Sequence, residues 1–256
     1  MKRLTRLKAI SFDGDMTLWD FDKVMRHSLG CALAELRVRR PGSATAELTV
    51  DAMIEIRETV ADEMRGTTDL EAIRLQAFRR TLASIGAPDD DLAAHLNALY
   101  LRHRFEEVEL YPDVLPALER LGGRYSLGLV SNGNGYPSLR ALADRFAFLV
   151  FSQDTGVEKP DPRIFLHACE LAGCAPDELM HVGDSLQADV AGANAVGSVS
   201  VWLNRDGGSD CGASAADYAI RTLDELASIV GVDAHVTSTL KRNTSVSDAP
   251  VYLACT

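Results

Sequence analysis

Two aspartates one residue apart close the first apolar run of the chain, in Phe12-Asp13-Gly14-Asp15-Met16-Thr17. In a strand the side chains alternate faces, so Asp13 and Asp15 emerge on the same side at its C-terminal end. Two carboxylates so placed repel unless a cation joins them or one of them holds a proton. Alone, such a pair is also an ordinary polar turn. Three later segments supply what a working site would need. Ser131-Asn132-Gly133 offers a hydroxyl and turn amides, and Lys159, in Glu158-Lys159-Pro160-Asp161-Pro162, offers an ammonium just before a helix. Gly183-Asp184-Ser185, with Asp189 following, adds further acids. Each has a bland counterpart: a common turn, a solvated lysine, a helix N-cap. Packing does not explain why all of them fall at successive strand ends.

The elements that must position these residues are legible as alternating patterns. Short apolar runs at Leu7–Phe12, Tyr125–Val130, Phe148–Phe151, Leu179–Val182, Ser198–Leu203 and Tyr218–Ile220 read as buried strands. Helical patterns lie between or after them at Val114–Leu121, Tyr136–Phe146, Arg163–Leu171, Leu186–Ala195 and Leu223–Val230. Continuous apolar strands alternating with amphipathic helices indicate a doubly wound α/β domain, a parallel sheet covered on both faces. Residues from about Leu18 to Leu110 differ. Apolar residues recur there at helical spacing, as in Met53, Ile54, Ile56, Val60 and Met64, with breaks at 40–45, 66–69 and 86–90. This predicts about four helices inserted after the first strand. An insert at that point sits over the strand's C-terminal end, where ligands bind in open α/β sheets, and is a candidate lid.

Composition narrows the partners. The 256 residues carry 26 basic and 37 acidic side chains, a formal net charge of −11. That balance argues against nonspecific binding to nucleic acid or anionic membrane, both of which need basic patches. No apolar run approaches the ~20 residues that cross a bilayer. Five cysteines, an odd number with no CxxC pair, fit a reducing cytoplasm and give neither a disulfide scaffold nor a zinc site. His27, His95, His103, His167 and His181 share no ligand spacing, and His181 reads as structural. Cys169 and Cys174 read as packing residues. The polar, aperiodic stretch after about Val236 reads as a disordered tail. Only five of the basic residues are lysine, and Lys159 is the single one between Lys23 and Lys241.

Taken in order, the four segments resemble the motifs of the haloacid dehalogenase superfamily. The likeness is to its phosphatase-type members with a helical cap after the first motif, the phosphoglycolate phosphatase-like or nucleotidase-like branch. Asp13-Gly14-Asp15-Met16-Thr17 looks like the DxDxT motif, Ser131 like the second-motif hydroxyl and Lys159 like the third-motif lysine. Gly183-Asp184 through Asp189 looks like the acidic fourth motif. The resemblance covers roughly Ala9 to Val230. The chain departs from the commonest first motif, DLDGT, at Gly14 and Met16; Gly14 would keep a backbone amide free to approach a phosphate.

The resemblance implies a Rossmann-like α/β core from residues 1–17 and 111–235, a helical cap over 18–110 and a tail over 236–256. It implies a phosphatase acting on a small phosphomonoester, with Asp13 as nucleophile through an aspartyl-phosphate and Asp15 as general acid and base. Mg²⁺ would be held by Asp13, the carbonyl of Asp15 and Asp184, with Asp189 a ligand or just behind one. Gly14, Thr17, Ser131, Asn132 and Lys159 would hold the phosphate. Trp19, Arg65 and Arg74 are candidate contacts to the rest of the substrate, with Thr67 and Thr68 beside them, although hinge packing and solvated helix positions would also account for these residues. A cytoplasmic monomer or homodimer is expected. A phosphomutase, a haloacid dehalogenase and a catalytically silent binding protein on this fold are the alternatives.

Overall fold

The computed structural model describes residues 4–106, 108–133, 142, 144–207 and 215–232. Six strands form one sheet: β1 (Ala9–Phe12), β2 (Ser126–Ser131), β3 (Phe148–Phe151), β4 (Leu179–Gly183), β5 (Val199–Leu203) and β6 (Tyr218–Ile220). All pairs are parallel, in the order β3-β2-β1-β4-β5-β6. Every apolar run read as a strand is one. The order reverses beside β1, and in such sheets the crevice at the reversal is the natural ligand site.

Alternation along the strands divides the core between the two faces. Ile10, Phe12, Leu127, Leu129, Met180 and Val182 pack with α6 (Val114–Gly122) and α10 (Glu225–Val230). Ala9, Val130, Val150 and Leu179 pack on the other face with α8 (Pro162–Ala172) and Ala193 of α9 (Ala191–Ala195). A short α7 (Ser152–Thr155) follows β3 directly. Caps set the ends of α8: Asp161 accepts from the Arg163 amide, Pro162 opens the first turn, and Gly173 ends it at φ 63°.

Between β1 and β2 the chain forms α1 (Phe21–Arg39), α2 (Ser43–Glu47), α3 (Val50–Glu63), α4 (Leu70–Ser84) and α5 (Asp90–Glu106). Asp20, Thr49 and Asp69 cap α1, α3 and α4 through their side chains. These helices bury a core of their own, built on Leu29, Leu33, Leu36, Phe78, Leu82, Leu96 and Tyr100. One helix more is present than the spacing predicts, because the Pro41-Gly42 break leads into a separate short helix. The expected helix over Tyr136–Phe146 falls largely, and the polar tail wholly, outside the described residues. The expected helix over Leu186–Ala195 begins as a π-helical turn, Leu186–Val190, in which the Val190 amide donates to the Ser185 carbonyl at 3.2 Å.

Candidate active site

Three central strands deliver the reacting groups. Asp13 follows β1, Ser131 ends β2 and Asp184 follows β4. Register places Phe12 beside Leu129 and Val182, so the three ends meet on one edge of the sheet. Lys159 enters from the loop before α8. Its Nζ donates to Asp13 Oδ1 at 2.5 Å and to Asp189 Oδ1 at 2.7 Å, and the side chain is only 3% exposed. Its backbone is clamped by Asn132: the Lys159 amide donates to Asn132 Oδ1 at 2.7 Å, and Asn132 Nδ2 donates to the Lys159 carbonyl at 3.0 Å. The Asn132 side chain therefore positions the lysine, while its residue still lines the cleft.

Asp189 is fully engaged. Besides Lys159 it faces His181 Nε2 at 3.0 Å, and its Oδ2 accepts from the Ser185 amide at 2.9 Å. His181 Nδ1 in turn meets Ser11 Oγ at 2.9 Å. The chain Ser11–His181–Asp189–Lys159 thus fixes the ammonium against Asp13, giving His181 the structural role read from its strand. The π-helical turn brings Asp189 so close to β4 that a Cβ on Gly183 would lie 2.2 Å from its carboxyl carbon. Glycine is required there.

Asp15 stands apart from the lysine. Trp19 Nε1 donates to Asp15 Oδ1 at 2.7 Å, and Arg104 Nη2 lies 3.8 Å from Oδ2. Trp19 is absent from the cleft lining and packs in the core, in keeping with the packing reading, while its N–H holds this acid. Its ring also explains Gly14, where a Cβ would sit 2.7 Å from the indole. Met16 takes φ 62°, the one non-glycine residue in that region among the described residues. Thr17 is buried and outside the cleft; its Oγ1 has no hydrogen-bond partner among the described residues, and its carbonyl accepts from Arg205 Nη2 at 2.8 Å.

The electrostatics are those of crowded acids. Burial pushes the Asp13 carboxyl above the usual carboxylate range, with Asp189 and Asp15 adding to the rise and Lys159 opposing it. Burial, and then the charge of Asp189, pushes Asp184 up to about 6. Lys159 is raised by Asp13 and Asp189 despite its burial. Asp13, Asp184 and Asp189 each offer an oxygen, all within 4.8 Å of one another. Hard oxygens around surplus negative charge fit Mg²⁺. Of the three, Asp13 is also bonded to Lys159, and Asp189 to Lys159, His181 and the Ser185 amide.

Residues 7–197 match the haloacid dehalogenase-like hydrolases. The chain belongs to that family. Glyceraldehyde 3-phosphate phosphatase of Methanopyrus kandleri is 32% identical over 206 residues, 78% of this chain and 84% of that protein. A haloacid dehalogenase-superfamily phosphatase from Thermococcus onnurineus superposes with a TM-score of 0.63 at 31% identity, over 89% of this chain and 99% of the other. A 2-haloacid dehalogenase from Pseudomonas syringae pv. Tomato DC3000 gives 0.73 at 30% identity, over 88% and 98%.

In this haloacid dehalogenase-like hydrolase the cleft measures about 310 Å³. Its floor is Asp13, Asp15, Ser131, Asn132, Gly133, Lys159, Asp184 and Asp189. The opposite wall comes from the inserted helices, through Phe21, Arg57, Leu70, Ile73, Arg74 and Arg104. Arg74 lines the cleft and is buried, not a solvated helix position. Arg65 is not in the cleft: α3 ends at Glu63, and in the turn that follows the Arg65 side chain is 80% exposed and pairs with Asp62 at 2.8 Å. Thr67 and Thr68 are also outside it; Thr67 Oγ1 accepts from the Asp69 amide in the turn before α4. Sequence reading missed Arg57 and Arg104, which look like any solvated helix arginine. It also missed Arg205, which pairs with Asp113 at 2.9 Å, stacks on Tyr111 and ties the first-motif loop to the strand β5 end.

Proposed function

We propose that this hydrolase is a Mg²⁺-dependent phosphatase that cleaves a small phosphomonoester through a phosphoryl group carried on Asp13. The observation behind this reading is the buried Asp13–Lys159–Asp189 array facing Asp184, with a second acid, Asp15, held separately by Trp19. Asp13 attacks phosphorus, and the ester P–O bond breaks as Asp15 gives its proton to the leaving oxygen. Asp15 then takes a proton from water, which attacks phosphorus and frees Asp13 and inorganic phosphate. The Ser131 hydroxyl accepts from the Gly133 amide at 3.0 Å, leaving its own proton for a phosphate oxygen. Lys159 stabilises charge on Asp13 and on the phosphoryl group. Asp13, the Asp15 carbonyl and Asp184 would hold Mg²⁺, which when bound neutralises carboxylates and phosphoryl oxygens together. The inserted helices act as the cap, closing the cleft against water.

The likeness to a 2-haloacid dehalogenase favours one other reading, attack by Asp13 on carbon. That chemistry has no use for a second acid at Asp15 or for the Asp184 carboxylate. Release of p-nitrophenol from p-nitrophenyl phosphate, dependent on Mg²⁺, tests the proposal. No release, together with halide release from a 2-haloacid without added metal, overturns it.

A further inference from the structure

The cleft is electrically divided. Its acids and Lys159 sit on the sheet side, and three arginines from three different helices, Arg57 of α3, Arg74 of α4 and Arg104 of α5, sit on the insert side. Arg74 and Arg104 are 5% and 7% exposed. Phe21 spaces the cluster: the Arg104 guanidinium lies 4.8 Å and that of Arg57 5.9 Å from its ring centre. Burial, and then the charge of Arg104, pushes Arg74 down to about 10, and Arg57 adds to the effect. The buried Nε of Arg57 has no hydrogen-bond partner among the described residues. Two buried guanidinium groups and a half-buried third, faced by the acid Asp15, 3.8 Å from Arg104, make this wall cationic, and a planar fork of that kind suits an anionic group of the substrate.

The reacting phosphate belongs at the other end, against Asp13, Ser131 and Lys159. We infer that Arg57 and Arg74, with Arg104 at the junction, form a second anion subsite, and that the substrate is a small phosphomonoester bearing a further acidic group, a carboxylate or a second phosphate. Leu70 and Ile73 line the wall beside them and would cover the carbon chain between the two acids. The inference rests on the phosphatase reading above and adds to it the chemical class of the substrate.

The test compares matched substrates on the full chain with Mg²⁺. 3-Phosphoglycerate against glycerol 3-phosphate exchanges a carboxylate for an alcohol, and fructose 1,6-bisphosphate against fructose 6-phosphate adds a second phosphate. In one pair the acid-bearing member is expected to have the higher kcat/KM, by about tenfold or more, the scale of one or two hydrogen bonds to charge. The pair that responds identifies the acid. Arg57→Met, at the half-buried edge of the cluster, should collapse that ratio towards one. Arg74→Lys, which keeps the charge but loses the fork, should lower it in part. A folding defect lowers both members together and leaves the ratio unchanged. Ratios near one in both pairs for the wild type, or variants that have a wild-type urea midpoint and keep the wild-type ratio, overturn the subsite. Turnover of p-nitrophenyl phosphate in that case leaves the phosphatase reading standing; no turnover of any of these esters overturns both.

Discussion

Replacing Trp19 with phenylalanine takes one N–H from the site and leaves an aromatic ring in its place. The indole of buried Trp19 donates at 2.7 Å to Asp15, whose carboxylate is half-buried. A hydrogen bond to a charged group contributes about 1.5–3 kcal/mol. At about 1.4 kcal/mol per decade, full expression of that bond in the transition state for leaving-group departure corresponds to a fall in kcat/KM, which excludes the later hydrolysis common to all esters, of about 10- to 100-fold. The leaving group separates this from simple loosening of the fold. An alkyl phosphate expels a strongly basic alkoxide and depends on the Asp15 proton, whereas p-nitrophenolate leaves with little help. The full fall is therefore expected with glycerol 3-phosphate and a much smaller one with p-nitrophenyl phosphate, measured side by side at saturating Mg²⁺. The smaller ring also opens space beside Gly14 and should cost about 1–3 kcal/mol in urea denaturation, which affects both substrates alike. Equal losses on the two esters, or none, refute the assignment of Trp19 as the residue that positions the acid.

Other expectations follow from single contacts. Lys159→Ala strips the ammonium from Asp13 and Asp189; kcat should fall by about 10²-fold or more, and near-wild-type kinetics would contradict its role. The same change leaves buried carboxylates uncompensated and should cost about 3–5 kcal/mol, read by urea denaturation. Met16→Gly relieves a left-handed residue at φ 62°. Relief of about 1–2 kcal/mol against a glycine entropy cost of about 0.5–1 kcal/mol predicts a net gain, visible as a higher urea midpoint; a lower one would show that the side chain outweighs the strain. Burial pushes the Cys169 thiol up to about 12, so iodoacetamide at pH 8 should leave it unmodified until the chain unfolds, as peptide mass spectrometry would report.

The sheet and the first two layers of the site were legible because both repeat a pattern. Apolar runs such as Phe148–Phe151 are short and bounded, and Asp13, Ser131 and Asp184 all stand where such runs stop. Lys159 was conspicuous because lysine is otherwise scarce over most of the chain. What the sequence concealed is what tertiary packing assembles. Arg57, Arg74 and Arg104 come from three helices and share no spacing, and only the packing of α3, α4 and α5 puts them on one wall. His27 and Cys31 of α1 meet His103 of α5 within 4.8 Å although the histidines share no ligand spacing. Gly14 reads from the sequence as an opening for a phosphate, yet its nearest constraint is the Trp19 ring, which no local rule announces. The widened turn that seats Asp189 is likewise invisible in a pattern that reads as plain helix.

Acid-quenching the enzyme during turnover of p-nitrophenyl phosphate with Mg²⁺, then mapping its peptides by mass, addresses the central claim most directly. The peptide containing Asp13 should carry one phosphoryl group, and Asp13→Asn should carry none and release no p-nitrophenol. A phosphoryl group found on another residue, or an Asp13→Asn variant that turns over like the wild type, would contradict Asp13 as the nucleophile.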